Sequence, residues 1–222
     1  MEYYHLHTKG NQDKFWRESR EFTVDNKWHN RLYKRCTNFS LSASTSDFQK
    51  LTAIINYCLN AHGFSEYTDK ILIGDMLEKE FFNIADPKTK EKLLELARKA
   101  MFDAVVFKRE MALENYRLEN ASNLPSRLHS LYVTTEEGLS YWCNLLIDND
   151  LEVFKVDVAN EPFVTNEQFL PSEELTYQES YNLSKNYWYP KFNKQNIDTA
   201  SNEYLVQGRV RILKKVDEIK KK

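Results

Sequence analysis

The chain has 222 residues, with 31 Lys and Arg against 33 Asp and Glu, a formal net charge of -2. It therefore lacks the overall basic excess that marks polyanion binders, although a local basic patch stays open. Three scattered cysteines (Cys36, Cys58, Cys143) exclude a disulfide framework and a CxxC metal clip. No apolar run approaches the roughly 18 residues of a membrane helix, and "MEYYHLHTKG" lacks the pattern of a signal peptide, so a cytoplasmic protein is expected.

Along the chain, "EYYHLH" (2–7) has the composition and alternation of a strand, closed by the turn signal "TKGN". Polar, Trp-dotted sequence without a clear period follows to about residue 40. Residues 44–63 read as a helix: Ser44 or Ser46 caps it, Phe48, Leu51, Ile54, Ile55, Cys58 and Leu59 share a face, and Gly63 stops it. "KILIGDMLEKEFFNIA" has the same period, as does the long stretch opening on Asp86-Pro87 as N-cap and first helical residue. The block from about 44 to 120 is thus mostly helical.

After Pro125 the character changes. "LHSLYVT" has strand composition, and "TEEGLSYWCNLL" is a helix capped by Thr134 or Thr135 with acids in its first turn. "LEVFKVDV" (151–158) alternates as a strand, and "PSEELTYQESYNLSKNYW" holds one short helix. "NEYLVQGRVRILKKV" reads as two strands joined at Gly208. The order is α+β rather than regular βαβ alternation.

None of the five glycines falls in a GxGxxG or GxxxxGK[ST] pattern, and no HExxH, GxSxG or Cys/His cluster is present. His5 and His7 project from the same face of their strand; a metal pair, structural or surface imidazoles and a hydrogen bond to a ligand all remain open. "SASTSD" (42–47) reads as helix capping. Glu203 is open between a strand-edge acid paired with Arg209, Arg211 or a lysine and a catalytic carboxylate. Arg127, in "PSRLHS", is open between a surface charge, the partner of an acid and a contact to phosphate. "NYWYPKF" (186–192) is read as a packed aromatic loop.

Three segments, in order, carry a resemblance. "YYHLHTKGN" resembles the first strand of the His-Tyr-Glu class of ADP-ribosyltransferases. "SLYVTTEEGLSYWC" is similar to the second motif of poly(ADP-ribose) polymerases, and "SNEYLVQGRVRILKKV" to their third. "KREMALENYRLENASNLPSRLHSLYV" also resembles an uncharacterised bacterial domain family in which Pro-Ser-Arg precedes the strand.

The resemblance implies one domain over 1–222: a split, mostly antiparallel sheet with a helical insertion at about 44–120. It implies NAD as co-substrate with no metal. His5 would bond the adenosine-side ribose, Tyr132 would stack on nicotinamide with Tyr141 or Trp142 as opposite wall, and Arg127 is a candidate phosphate contact. Glu203 would accept from the nicotinamide-ribose 2′-hydroxyl. A mono-ADP-ribosyltransferase is the implied activity, in a bacterial or phage-conflict toxin or antiphage effector. Its acceptor would be DNA, RNA or protein, and an antitoxin could hold it in check. A catalytically inactive NAD- or ADP-ribose-binding module, or a helical protein-interaction module, is the alternative.

Overall fold

The computed structural model describes residues 1–8, 16, 20–40, 87–146, 151–192 and 197–216. The expected helices over 44–63 and 70–85, Asp86, and the "SASTSD" stretch lie outside them. The chain divides into two compact units, Met1–Lys34 with Lys108–Lys222, and Arg35–Phe107. The second unit is bracketed in sequence by the two segments of the first. Among the described residues no helix is long and apolar enough to cross a membrane.

In the second unit, the Arg35 guanidinium pairs with Asp103 and lies 4.3 Å from the Phe102 ring centroid. These residues come from two helices, α1 (Arg31–Ser40) and α2 (Pro87–Asn120). From Lys108 onward α2 belongs to the first unit.

The first unit is built on a split antiparallel sheet. One half has the order β1-β4-β7-β2, with β1 Tyr3–Thr8, β2 Glu21–Val24, β4 Leu151–Val158 and β7 Gly208–Val216. The other has the order β3-β6-β5, with β3 Leu131–Val133, β5 Phe163–Asn166 and β6 Asn202–Val206. The halves meet where the Tyr4 and Thr134 amides and carbonyls exchange two hydrogen bonds of 2.8 Å. The α+β class and the split, mostly antiparallel sheet are as the sequence led one to expect. Two short strands and α1 were not foreseen: β2 and α1 sit in the stretch without a clear period, and four-residue β5 follows a Pro-containing loop.

Two helices complete the unit. α3 (Glu136–Leu145) starts after Thr135, whose side chain makes no cap bond, so acids at Glu136 and Glu137 face the helix dipole instead. α4 (Tyr177–Trp188) begins on a capping box in which Thr176 and Glu179 bond reciprocally.

Side chains alternate along a strand, so β3 and β6 feed two different cores. Leu131, Val133, Tyr204 and Val206 pack with Trp16, Phe154, Val156 and Val210 of the four-stranded half. Tyr132, Leu205 and Phe163 pack on the opposite face against Leu113, Tyr187 and Trp188 from α2 and α4. "NYWYPKF" thus begins as the end of α4, with Tyr187 and Trp188 fully buried, and leaves the helix at Tyr189, which is exposed along with Phe192.

β6 and β7 are joined through Gln207 and Gly208, whose φ of 104° lies in the left-handed region open to glycine. A Cβ there would also stand 2.5 Å from Asn160 Nδ2, which bonds the Gln207 carbonyl. Gly208→Ala is expected to lower stability by about 1–3 kcal/mol, read as a shift in urea midpoint at constant slope.

Candidate functional site

The entry to β6 is tied down from both sides. Asp198 caps the short turn Thr199–Ser201, its carboxylate accepting from the Ala200 amide at 3.0 Å. Asn166, fully buried at the end of β5, donates to the Asp198 carbonyl (2.9 Å) and to Asn202 Oδ1 (2.8 Å), and accepts from Ser201 Oγ (3.2 Å). From α3, Trp142 Nε1 donates to the Asn202 carbonyl at 3.2 Å, and Thr199 Oγ1 donates to Glu137 at 2.6 Å. α3 can come this close because Gly138 has no side chain: a Cβ would meet Thr134 Oγ1 at 2.2 Å and the Ala200 carbonyl at 2.9 Å.

Glu203 follows, buried, on the face of β6 that looks toward α2 and α4. Its Oε2 accepts from Arg127 Nη1 and from the Tyr187 hydroxyl. Arg127 Nε donates at 2.8 Å to Glu110 Oε2, and Arg109 Nε reaches Glu110 Oε1 at 3.2 Å. Arg109 in turn pairs with Glu173 at 3.0 Å. The result is a line of alternating charges, Glu173, Arg109, Glu110, Arg127 and Glu203, running from a partly exposed acid to a buried one. Burial alone would lower the Arg127 pKa; Glu110 and Glu203 together outweigh it and hold it well above its ordinary value. Burial raises the Tyr132 and Tyr187 phenols far above theirs, so both are hydrogen-bond donors.

Arg127 is thus the partner of two acids. With 5% of its surface exposed and its Nε and Nη1 committed to Glu110, Glu203 and Tyr187, it is not a surface charge. Glu203 is not paired with the residues of β7 either: Arg209 lies 3.8 Å from Glu21, and Arg211 2.8 Å from Asp157. The Pro-Ser-Arg stretch winds into a short turn, with Ser126 capping the Leu128 amide (3.2 Å). Asn30 pins that turn by donating to the carbonyls of Arg127 (2.6 Å) and Ser130 (2.9 Å).

Tyr132 and Glu203 face the same side of their half-sheet. With Trp142, Leu6, Val133, Thr134 and Leu146 they line a cavity of about 80 Å³. No protein donor among the described residues reaches the second carboxylate oxygen of Glu203. The Tyr132 hydroxyl donates to the Arg127 carbonyl at 3.1 Å, and its ring stands 5.5 Å from that guanidinium. Of the two aromatics proposed for the opposite wall, Trp142 lines the cavity. Tyr141 donates its hydroxyl to Glu167 instead, and burial and that carboxylate push its pKa up to about 12.

His5 is placed differently. It is register-paired with Phe154, and its ring stacks on Trp16 (4.4 Å, 15°) in the core between the half-sheets. Only its Nδ1 touches the candidate site, at 2.8 Å from the Tyr132 carbonyl; a carbonyl cannot donate, so Nδ1 carries the proton. The side chains of Tyr132 and Glu203 lie on the other face, so the structure does not bring all three together in one pocket. Burial lowers the His5 pKa to about 4, against the pull of the Tyr132 carbonyl.

Glu110 and Tyr187 were not singled out from sequence. A signal for Glu110 exists: Val106, Glu110, Leu113 and Arg117 follow one another at helical spacing, all buried, an acid inside an apolar stripe.

Two measurements follow from this geometry. Arg127→Met leaves two buried carboxylates without their shared cation and should cost about 3–5 kcal/mol in urea unfolding. His5 takes up a proton near pH 6.5 when unfolded and only near pH 4 when folded, so stability is full above pH 6.5 and falls as pH falls toward 4. His5→Asn should flatten that slope in denaturant midpoints measured across the window.

No curated protein matches the chain. A family model described as "Protein of unknown function (DUF2441)" matches residues 3–218. That match spans nearly the whole chain, and the protein belongs to this family.

Proposed function

We propose that the protein is an NAD-dependent mono-ADP-ribosyltransferase acting on a macromolecule, with Glu203 as its catalytic carboxylate. The observation that carries this reading is how Glu203 is held. Its Oε2 is anchored by Arg127 and Tyr187, while the carboxylate lines a cavity walled by Tyr132 and Trp142. A carboxylate fixed through one oxygen can offer the other to a ribose hydroxyl without reorganising, which is the requirement for charge stabilisation in a transition state.

In the proposed reaction the bond between nicotinamide nitrogen and ribose C1′ breaks, and its electron pair leaves with nicotinamide. Positive charge gathers on C1′ and the ring oxygen, where Glu203 stabilises it. A nucleophile from the acceptor forms the new bond to C1′ and gives up its proton, to Glu203 or to water. Tyr132 and Trp142 would hold the departing ring. At about 80 Å³ the cavity suits one planar ring, far below the 300–1000 Å³ of whole-ligand sites, so the remainder of NAD would lie outside it. A toxin or antiphage effector in the cytoplasm, with an antitoxin as partner, is the setting that fits such an activity.

A second reading, binding of NAD or ADP-ribose without transfer, is favoured by one observation: His5 points to the opposite face of the sheet from Glu203. Incubation with labelled NAD and cell lysate separates the two. Glu203→Gln should reduce nicotinamide release at least a hundredfold while NAD binding, followed by calorimetry, changes by less than about threefold. Release that is unchanged in Glu203→Gln removes the catalytic assignment, and binding without release in the natural chain selects the second reading.

A further inference from the structure

A second cavity lies on the first unit, apart from the one beside Glu203. It measures about 760 Å³, within the range of small-molecule sites, and is lined on the four-stranded half by Trp16, Arg20, Glu152, Phe154, Arg211, Ile212, Leu213 and Lys215. Three cations therefore meet one acid. Arg20 makes no ion pair among the described residues. Lys215 pairs with Glu152 Oε1, and Arg211 with Asp157, both cations remaining about half exposed at the rim.

Glu152 is the telling residue. It is 5% exposed, opposite His7 in the β1–β4 register, and its Oε2 has no hydrogen-bond partner. A buried carboxylate oxygen without a donor is costly, and something that enters the cavity with a hydroxyl or amino group would relieve it. The rim asks for the opposite: an anion for Arg20, Arg211 and Lys215. An acidic peptide side chain supplies only the anion and would oppose Glu152 with like charge. A ribose phosphate supplies both, with a hydroxyl for Glu152 and a phosphate for the rim, while Ile212 and half-exposed Leu213 offer apolar surface to a base.

We propose that this cavity binds a ribose phosphate unit, either a free nucleotide or one residue of an RNA strand. The site is separate from the Glu203 cavity and does not depend on the transferase reading. The net charge of -2 does not oppose it, because the cations are concentrated at one place.

Calorimetry with AMP, and fluorescence anisotropy with a short labelled oligouridylate and the matching oligodeoxythymidylate, test the proposal on the full chain. Binding of AMP or of the RNA is expected, and which of the two is tighter identifies the source. Arg20→Ala should weaken binding about tenfold and reduce its salt dependence. Glu152→Gln should remove the preference for RNA over DNA while leaving DNA binding in place. Glu203→Gln and Trp142→Ala, in the other cavity, should leave all of these affinities unchanged. Thermal melts of each variant identify any that fails to fold, and Lys215→Ala, at an exposed rim position, then replaces it. Equal affinity for RNA and DNA in the natural chain, insensitivity to Arg20→Ala and Lys215→Ala, or no binding of any probe at about 1 mM would each overturn the assignment. Loss of AMP binding in Trp142→Ala, which removes a wall of the Glu203 cavity, would move the nucleotide to the first cavity and equally overturn it.

Discussion

A guanidinium taken out of water needs its charge answered inside the protein, and around Arg127 two acids do so from segments about 90 residues apart in the sequence. Glu110 comes from the long helix α2, and Glu203 from β6 near the C-terminus. Neither acid is neutralised by Arg127 alone, since they share it; Arg109 supplies the second cation and brings the buried set to balance. The Born cost of burying such ions is of order 20 kcal/mol each in a dry medium, so each ion persists only because the others are in place. That mutual dependence constrains the fold. A one-residue slip of β6 would exchange Glu203 for Tyr204, placing a carboxylate in the aromatic core between the half-sheets and a phenol against Arg127.

The same pairing bears on the chemistry. A carboxylate in contact with a guanidinium projects a weaker negative potential than a free one, so Arg127 costs Glu203 part of its power to stabilise a cationic centre. What is gained is position. Arg127 and Tyr187 both bind Oε2, so the carboxylate plane is set before any ligand arrives, and both phenols are held neutral by burial so that they donate rather than repel. In the reaction proposed for Glu203, rigid placement would be the larger contribution, because charge would develop at one point on a sugar.

Much of this was legible in the sequence, for physical reasons that differ from segment to segment. β1 and β4 show alternation because each has a buried face, β6 and β7 read as two strands joined at Gly208, and α2 has a period that 34 residues cannot hide. β2 and β5 have four residues each, too short for a period to emerge, and they exist because β7 and β6 offer them an edge. At the site, Tyr132 and Glu203 could be read from their motifs, and Trp142 as one of two candidates. Nothing in a linear sequence says that Arg127 turns inward to meet Glu110, because that pairing depends on where α2 passes β3. His5 was legible as a strand residue sharing a face with Tyr3 and His7; where that face is buried depends on the crossing at Tyr4 and Thr134, a single bridge of two hydrogen bonds.

That crossing decides what His5 can do. With Nδ1–H committed to the Tyr132 carbonyl and the ring stacked on Trp16, the imidazole joins the end of β1 to the backbone of β3 rather than presenting a nitrogen to the Glu203 cavity. Its contribution to any chemistry at Glu203 therefore passes through the strand: the carbonyl it holds belongs to the residue whose ring forms a wall of that cavity. Protonating the ring would leave that bond intact, because Nδ1 donates in both states. The penalty comes instead from burying a cation beside Trp16 and Phe154, in a core that offers it aromatic faces but, among the described residues, no carboxylate within hydrogen-bond reach. Acidification thus strains the seam between the half-sheets at His5, and the two parts of the site separate by the kind of charge each tolerates.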